Sequence, residues 1–207
     1  MTNRHTVTAS LAAATVLLLT GCASEAGNAA PASPAPPAST GLPFGAPPVP
    51  APLDPAPLKK APCDAMTADQ VASLGAPLKT ARSKPADPTG PACSWIFDYE
   101  DIVSAVSGAV FTGDPTHGGI SGLYGQKQFN GLTRFEPFSA NGYPGVIYDV
   151  GTNSLRGSCA LAVGLRDDLT YTISVALDGL KHPFAEGCEL GKKVAGYVVQ
   201  YLQKGGR

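Results

Sequence analysis

Charge is scarce in this chain: 15 Lys and Arg stand against 16 Asp and Glu in 207 residues, a charged fraction of 15% and a formal net charge of -1. The basic residues are scattered and none form a run interleaved with aromatics, so the electrostatic footprint of a nucleic-acid-binding protein is missing. Histidine is scarcer still, with 3 residues. Beyond the N-terminal segment only His117 and His182 remain, one in Asp114-Pro115-Thr116-His117-Gly118-Gly119 and the other directly before Pro183. Both read as loop residues rather than general bases. There is no G-x-S-x-G elbow for a nucleophilic serine and no G-x-x-x-x-G-K-[ST] or G-x-G-x-x-G loop for a phosphate. A C-x-x-C pair, which a zinc site or a redox dithiol would use, is also missing. The acidic pairs Glu100-Asp101 and Asp167-Asp168 read as hairpin tips, because neighbouring residues in a strand turn point apart and converge on neither a proton nor a cation. The expectation is a protein that is not an enzyme and carries neither cofactor nor metal.

What is present begins at the N-terminus. Arg4 is followed by an apolar run through Leu11, Val16, Leu17, Leu18 and Leu19, then by the small pair Thr20-Gly21 and by Cys22. The run is too short to stay as a spanning helix, which needs roughly 20 apolar residues. It reads as a signal peptide, residues 1–21, closed by the lipobox Leu19, Thr20, Gly21 and Cys22. The Cys22 thiol is then the acceptor of a diacylglyceryl group, whose two chains hold a protein on a membrane where one gives only reversible attachment. The expected location is the extracytoplasmic face of the cell membrane, lipid-anchored.

Proline is concentrated rather than spread: 12 of the 20 prolines lie between Pro31 and Pro62. Proline fixes φ and removes backbone donors, so residues 22–61 read as an extended, disordered Pro/Ala-rich tether that holds a domain at residues 62–207 away from the bilayer.

In that domain Met66-Thr67-Ala68-Asp69-Gln70-Val71 predicts a short helix, with Thr67 as N-cap, Gln70 as its capping-box partner and Gly75 as the stop. Cys93 to Tyr99 and Ile102 to Phe111 predict two strands about Glu100-Asp101. Residues 113–130, broken by glycines, predict a loop with one helical turn. Arg134 to Phe138 and Gly145 to Val150 predict strands around Asn141-Gly142-Tyr143-Pro144, and alternation predicts a hairpin of Cys159 to Leu165 with Leu169 to Ala176. Leu190, Val194, Tyr197, Val198, Tyr201 and Leu202 recur at helical spacing and predict an amphipathic helix after Pro183. The sum is an α+β fold: an antiparallel sheet of about five to six strands packed by a short N-terminal helix and a C-terminal amphipathic helix. Its aromatics, among them Trp95, Phe97, Phe129, Phe135, Phe138, Tyr143 and Tyr148, read as core.

Four cysteines lie in the domain, and an exported protein meets an oxidising compartment, so two disulfides are expected out of three possible pairings. The layout favours Cys93-Cys159, both in strands, and Cys63-Cys188, both at helix ends. A contact surface is placed on the 113–130 segment, at Tyr124, Lys127 and Gln128, because binding residues concentrate on loops.

One resemblance adds to this. Pro62-Cys63-Asp64 before Met66-Thr67, the Leu74-Gly75 helix end, Cys93-Ser94-Trp95, Gly142-Tyr143-Pro144-Gly145-Val146, Cys159, and Cys188 ahead of Val194-Ala195 occur in an order that resembles a family of actinobacterial cell-envelope lipoproteins (LprB/LprC-like) with a four-cysteine domain of unknown function. The resemblance spans residues 62–203; where the family has Asp-Pro before its last cysteine this chain has Glu186-Gly187. It implies an envelope lipoprotein and brings no catalytic residues. The function expected is therefore a membrane-anchored, non-catalytic binding or interaction module, its partner an envelope protein or a small apolar ligand and not nucleic acid. The alternative is a carrier of an apolar envelope molecule in a cavity between sheet and helix, and an envelope enzyme comes last.

Overall fold

The computed structural model describes residues 41–99, 102–111, 118–149, 157–177 and 184–207. The segments read as signal peptide, as the lipobox Leu19-Thr20-Gly21-Cys22 and as tether up to residue 40, together with Glu100-Asp101, His117 and His182, lie outside the described residues. In chain order the elements are α1 (Ala56–Lys60), α2 (Ala68–Ala72), β1 (Leu78–Lys84), β2 (Ala92–Tyr99), β3 (Ile102–Phe111), α3 (Gly119–Gln128), β4 (Arg134–Ala140), β5 (Tyr143–Asp149), β6 (Ser158–Arg166), β7 (Leu169–Ala176) and α4 (Phe184–Gln203), with 3-10 turns at Pro43–Gly45 and Pro62–Ala65. The α+β class stands, and the strands form a single antiparallel sheet in the order β1-β2-β3-β7-β6-β5-β4.

The sheet has seven strands against the five to six expected. The addition is β1, an edge strand whose Leu78-Lys79-Thr80-Ala81-Arg82-Ser83-Lys84 is almost wholly exposed and so shows no apolar alternation to read. Where both faces are distinct the alternation holds. Cys159, Leu161 and Val163 on β6 lie opposite Val175, Ile173 and Tyr171 on β7, and all six are buried. The β4–β5 turn is Asn141-Gly142, with φ of 49° and 85°, the two-residue turn that Asn-Gly favours; Tyr143 and Pro144, expected in the turn, already belong to β5.

α4 lies across β6 and β7 and buries Cys188, Val194, Ala195, Val198, Val199 and Leu202. It comes close because Gly191 has no side chain: a Cβ there would stand 2.1 Å from Leu161 Cδ2. Gly108 on β3 plays the same part inside the sheet layer, since the Tyr171 ring lies over it and a Cβ would meet the Tyr171 hydroxyl at 2.1 Å. That hydroxyl is fully buried without a hydrogen-bond partner among the described residues, and burial holds the phenol well above the usual tyrosine range.

The domain boundary expected at residue 62 falls earlier. From residue 41 the chain wraps the end of the sheet as a strap. Val49 N–H donates to Asp167 Oδ1 at 2.8 Å, Leu53 N–H to Leu165 O at 2.8 Å, and Tyr143 Oη–H to Ala51 O at 2.9 Å. Val49, Leu53 and Leu58 are buried in the main core and Ala46 packs with Ile120 and Val146 beneath α3. Proline-rich backbone needs few internal hydrogen bonds, so it can lie on a folded surface and insert its occasional apolar side chains.

The disulfides are Cys63–Cys93 and Cys159–Cys188, with Cα atoms 5.0 and 5.1 Å apart. This corrects the expected Cys93-Cys159 and Cys63-Cys188. Cys93 and Cys159 do share one face of the sheet, but β3 and β7 stand between their strands. Three strand spacings make about 14 Å, more than twice a disulfide's reach. Each bridge instead joins the helical layer to the strand directly under it.

Candidate functional site

The faces of the sheet differ. Under α4 the side chains of Leu161, Val163, Ile173, Val175, Val194, Val198 and Val199 are at most 2% exposed, so that space is filled. The interior cavity that a carrier would use is not found there. Apolar space opens instead at the β1 edge of the same face, between α2 and strands β1 and β2.

This groove has a volume of about 650 Å³ and is lined by Cys63, Met66, Ala68, Val71, Ala72, Gly75, Ala76, Pro77, Leu78, Ala81 and Trp95. Its wall is held from several directions. The Thr67 and Gln70 capping box starts α2, with Thr67 N–H donating to Gln70 Oε1 at 2.8 Å and Gln70 N–H to Thr67 Oγ1 at 3.2 Å, as the sequence predicts. The end of the helix is tied to α4: Lys193 Nζ donates to Ser73 O at 2.7 Å, and the Ser73 and Tyr197 hydroxyls bond at 3.0 Å. The Cys63–Cys93 bridge joins the turn before α2 to β2. The floor is Trp95, 1% exposed, and Leu78 stands at the mouth, 43% exposed.

The lining holds no titratable side chain apart from the bridged Cys63, and its one polar side-chain hydrogen-bonding group is the Trp95 indole N–H. Such a surface can bury hydrocarbon and offers nearly nothing to orient a polar group. Among the described residues no group of three or more His, Cys, Asp or Glu could hold a metal ion.

The contact residues placed by sequence fall elsewhere. The 113–130 segment is not a loop after Gly118: α3 runs from Gly119 to Gln128, with Ile120 and Ser121 buried. Tyr124 is half-buried, packed edge-on against Phe135 with ring centroids 4.9 Å apart, and burial raises its phenol pKa. Lys127 and Gln128 are exposed on the last turn. Leu123 and Gln126, on the same helix, line a second cleft of about 400 Å³ against the opposite face of the sheet. Of the aromatics expected in the core, Trp95, Phe97 and Tyr143 are buried, whereas Phe129 is 73% exposed and meets Phe44 edge-on.

Asp167 and Asp168 form the β6–β7 turn, as expected. Asp167 receives the Val49 N–H and Asp168 is paired with Arg166 at 2.9 and 3.0 Å, so each acid has a structural partner. The groove was the feature sequence reasoning missed. Its signal was available in Leu74, Ala76, Pro77 and Leu78, apolar residues with neither helical nor strand period between a short helix and an edge strand.

A family model described as protein of unknown function (DUF3558) matches residues 17–201. No curated protein and no solved structure matches the chain.

Proposed function

We propose, for a chain that belongs to the DUF3558 family of proteins of unknown function, that it is an extracytoplasmic lipoprotein of the actinobacterial LprB/LprC kind, anchored through Cys22, whose domain is a non-catalytic binding module for an apolar envelope molecule. The observation that carries the binding reading is the α2–β1–β2 groove: about 650 Å³, pre-formed by a disulfide and a capped helix, and lined by apolar side chains. Volumes of roughly 300–1,000 Å³ are those of small-molecule sites. An acyl chain lying over Val71, Leu78 and Trp95 would remove both its own surface and theirs from water, at about 0.8 kcal/mol per buried methylene. The anchoring reading draws on the Leu19-Thr20-Gly21-Cys22 run and on a family match that starts at residue 17, ahead of it.

The chain's only tryptophan, Trp95, lies in the groove and reports on it. A brominated stearic acid, whose bromines quench tryptophan on contact, is expected to quench Trp95 emission saturably. Ala72 and Ala81 are exposed lining residues, so Ala81→Glu and Ala72→Glu leave the core intact while forcing a charge against hydrocarbon, and each is expected to weaken binding about tenfold or more. Quenching that is absent, or that both variants leave unchanged, rejects the groove as the site.

The anchor has its own test. Growth with an alkyne-bearing fatty acid is expected to label the wild-type protein and to leave Cys22→Ser unlabelled; label on the variant excludes Cys22 as the acceptor.

A further inference from the structure

We propose that the cleft beneath α3 is a second binding site, on the face of the sheet opposite the groove, and that it takes a neutral sugar ring. The cleft holds about 400 Å³ and is lined by Thr89, Phe111, Gly119, Gly122, Leu123, Gln126, Tyr148, Ala162, Thr170 and Thr172. Strand register separates it from the groove: Phe111 lies opposite Thr170 and Ala109 opposite Thr172, while Trp95 lies opposite Val106 and Val106 opposite Val175 on the other face.

Its chemistry differs from that of the groove. No charged side chain lines it, which disfavours phosphate, carboxylate or ammonium ligands. Hydrogen-bonding groups do line it. Thr170 is 4% exposed, yet its hydroxyl has no hydrogen-bond partner among the described residues. The half-buried Tyr148 hydroxyl and the exposed Gln126 amide line the cleft beside it, and burial raises the Tyr148 phenol pKa. A side chain so nearly buried is ordinarily paired, and a hydroxyl left open towards a cleft is one a ligand can satisfy.

Around these polar groups the walls are apolar and shallow. Ala162 forms floor, Gly119 and Gly122 keep the α3 wall flat, and Phe111 stands at the rim with 46% of its surface exposed. A pyranose has the matching pattern. Its equatorial hydroxyls form a belt that both donates and accepts, as Thr, Tyr and Gln side chains do, and its polarised C–H face fits the negative face of an aromatic ring. A hydrocarbon would leave the Thr170 and Tyr148 hydroxyls unpaired, and an ion would find no counter-charge.

The test is saturation-transfer difference NMR on the full-length protein with three probes: the methyl glycosides of glucose, mannose and galactose. Transfer to the ring protons of at least one is expected. Thr170→Val, which keeps the shape and removes the hydroxyl, is expected to weaken that binding about tenfold, and Phe111→Ala to reduce transfer to the C–H face. If Thr170→Val fails to fold, Gln126→Ala, on the exposed surface of α3, takes its place with the same expectation. The proposal is overturned if none of the three glycosides receives transfer, or if transfer survives the hydroxyl or amide variant and Phe111→Ala unchanged. Trp95 lies on the other face, so sugar binding that leaves its emission unmoved separates this site from the groove, and either can fail without the other.

Discussion

A chain shortened to residues 62–207 is expected to lose its cooperative thermal transition, whereas one beginning at residue 41 keeps it. Composition marks residue 62 as the natural start, because the proline-dense stretch ends there. Packing marks residue 41. The strap places Val49, Leu53 and Leu58 in the main core at 8%, 7% and 0% exposure, and Leu58 is among the largest fully buried side chains of the molecule. Fully burying an aliphatic side chain contributes about 1.5–3 kcal/mol, so removing three forfeits about 4.5–9 kcal/mol as an upper estimate. Whole domains are stable by only about 5–15 kcal/mol. The hydrogen bonds from Val49 and Leu53 to the β6–β7 end would go as well, leaving the Leu165 carbonyl and the Asp167 carboxylate without those donors. Scanning calorimetry on the two chains decides the matter: equal transition temperatures would mean that the strap is an ornament of the surface rather than part of the core.

Loss of both disulfides is expected to be the other large effect. Each bridge closes a span of about the same length, with sequence separations of 30 and 29. A loop of that size restricts the unfolded chain by about 3–4 kcal/mol. Replacing Cys159 and Cys188 by Ala is expected to lower the transition temperature by about 6–16 °C, taking about 2–4 °C per kcal/mol for a domain of this size. Replacing all four domain cysteines is expected to about double that shift. The Cys63→Ala, Cys93→Ala pair should also change Trp95 emission, because it unpins the groove wall, whereas the Cys159→Ala, Cys188→Ala pair should not. Peptide mapping without reduction is the direct check; a fragment joining Cys93 to Cys159 would contradict the connectivity described above.

Much of the fold is legible along the chain. The α2 cap can be read residue by residue because capping is local chemistry: Thr67 and Gln70 are three residues apart and satisfy each other's backbone donors. The β6–β7 hairpin is legible because its faces see different surroundings, so period-2 alternation survives. α4 is legible for the corresponding reason at period 3.6. What is not legible is whatever depends on distant partners. α3 carries Gly122 and Gly125, each unfavourable in a helix by about 1 kcal/mol relative to Ala, and it stands because Ile120 is buried and Phe44 of the strap lies against Gly125. β1 has an exposed surface on both sides and announces itself only through its register with β2. The strap looks like linker because proline dominates its local propensity, while a few apolar side chains decide its position. The disulfides require strand order, and the sheet interposes β3 and β7 between Cys93 and Cys159, which chain position does not reveal. The apolar run Leu74 to Leu78 hints at the groove, but its wall needs β1, and the cleft needs α3.

The four domain cysteines pair first with second and third with fourth, and on the proposed export this would bear on how the protein is made. A chain threaded through a membrane from its N-terminus delivers Cys63 and then Cys93 to the oxidising side while Cys159 and Cys188 are still behind the pore. With the Cys22 thiol taken up by its lipid, the earliest pairing that an oxidant could make would then be the native one, and the next two thiols to arrive would have only each other. On the proposed export, the order of emergence would do the proofreading that an isomerase performs for interleaved bridges.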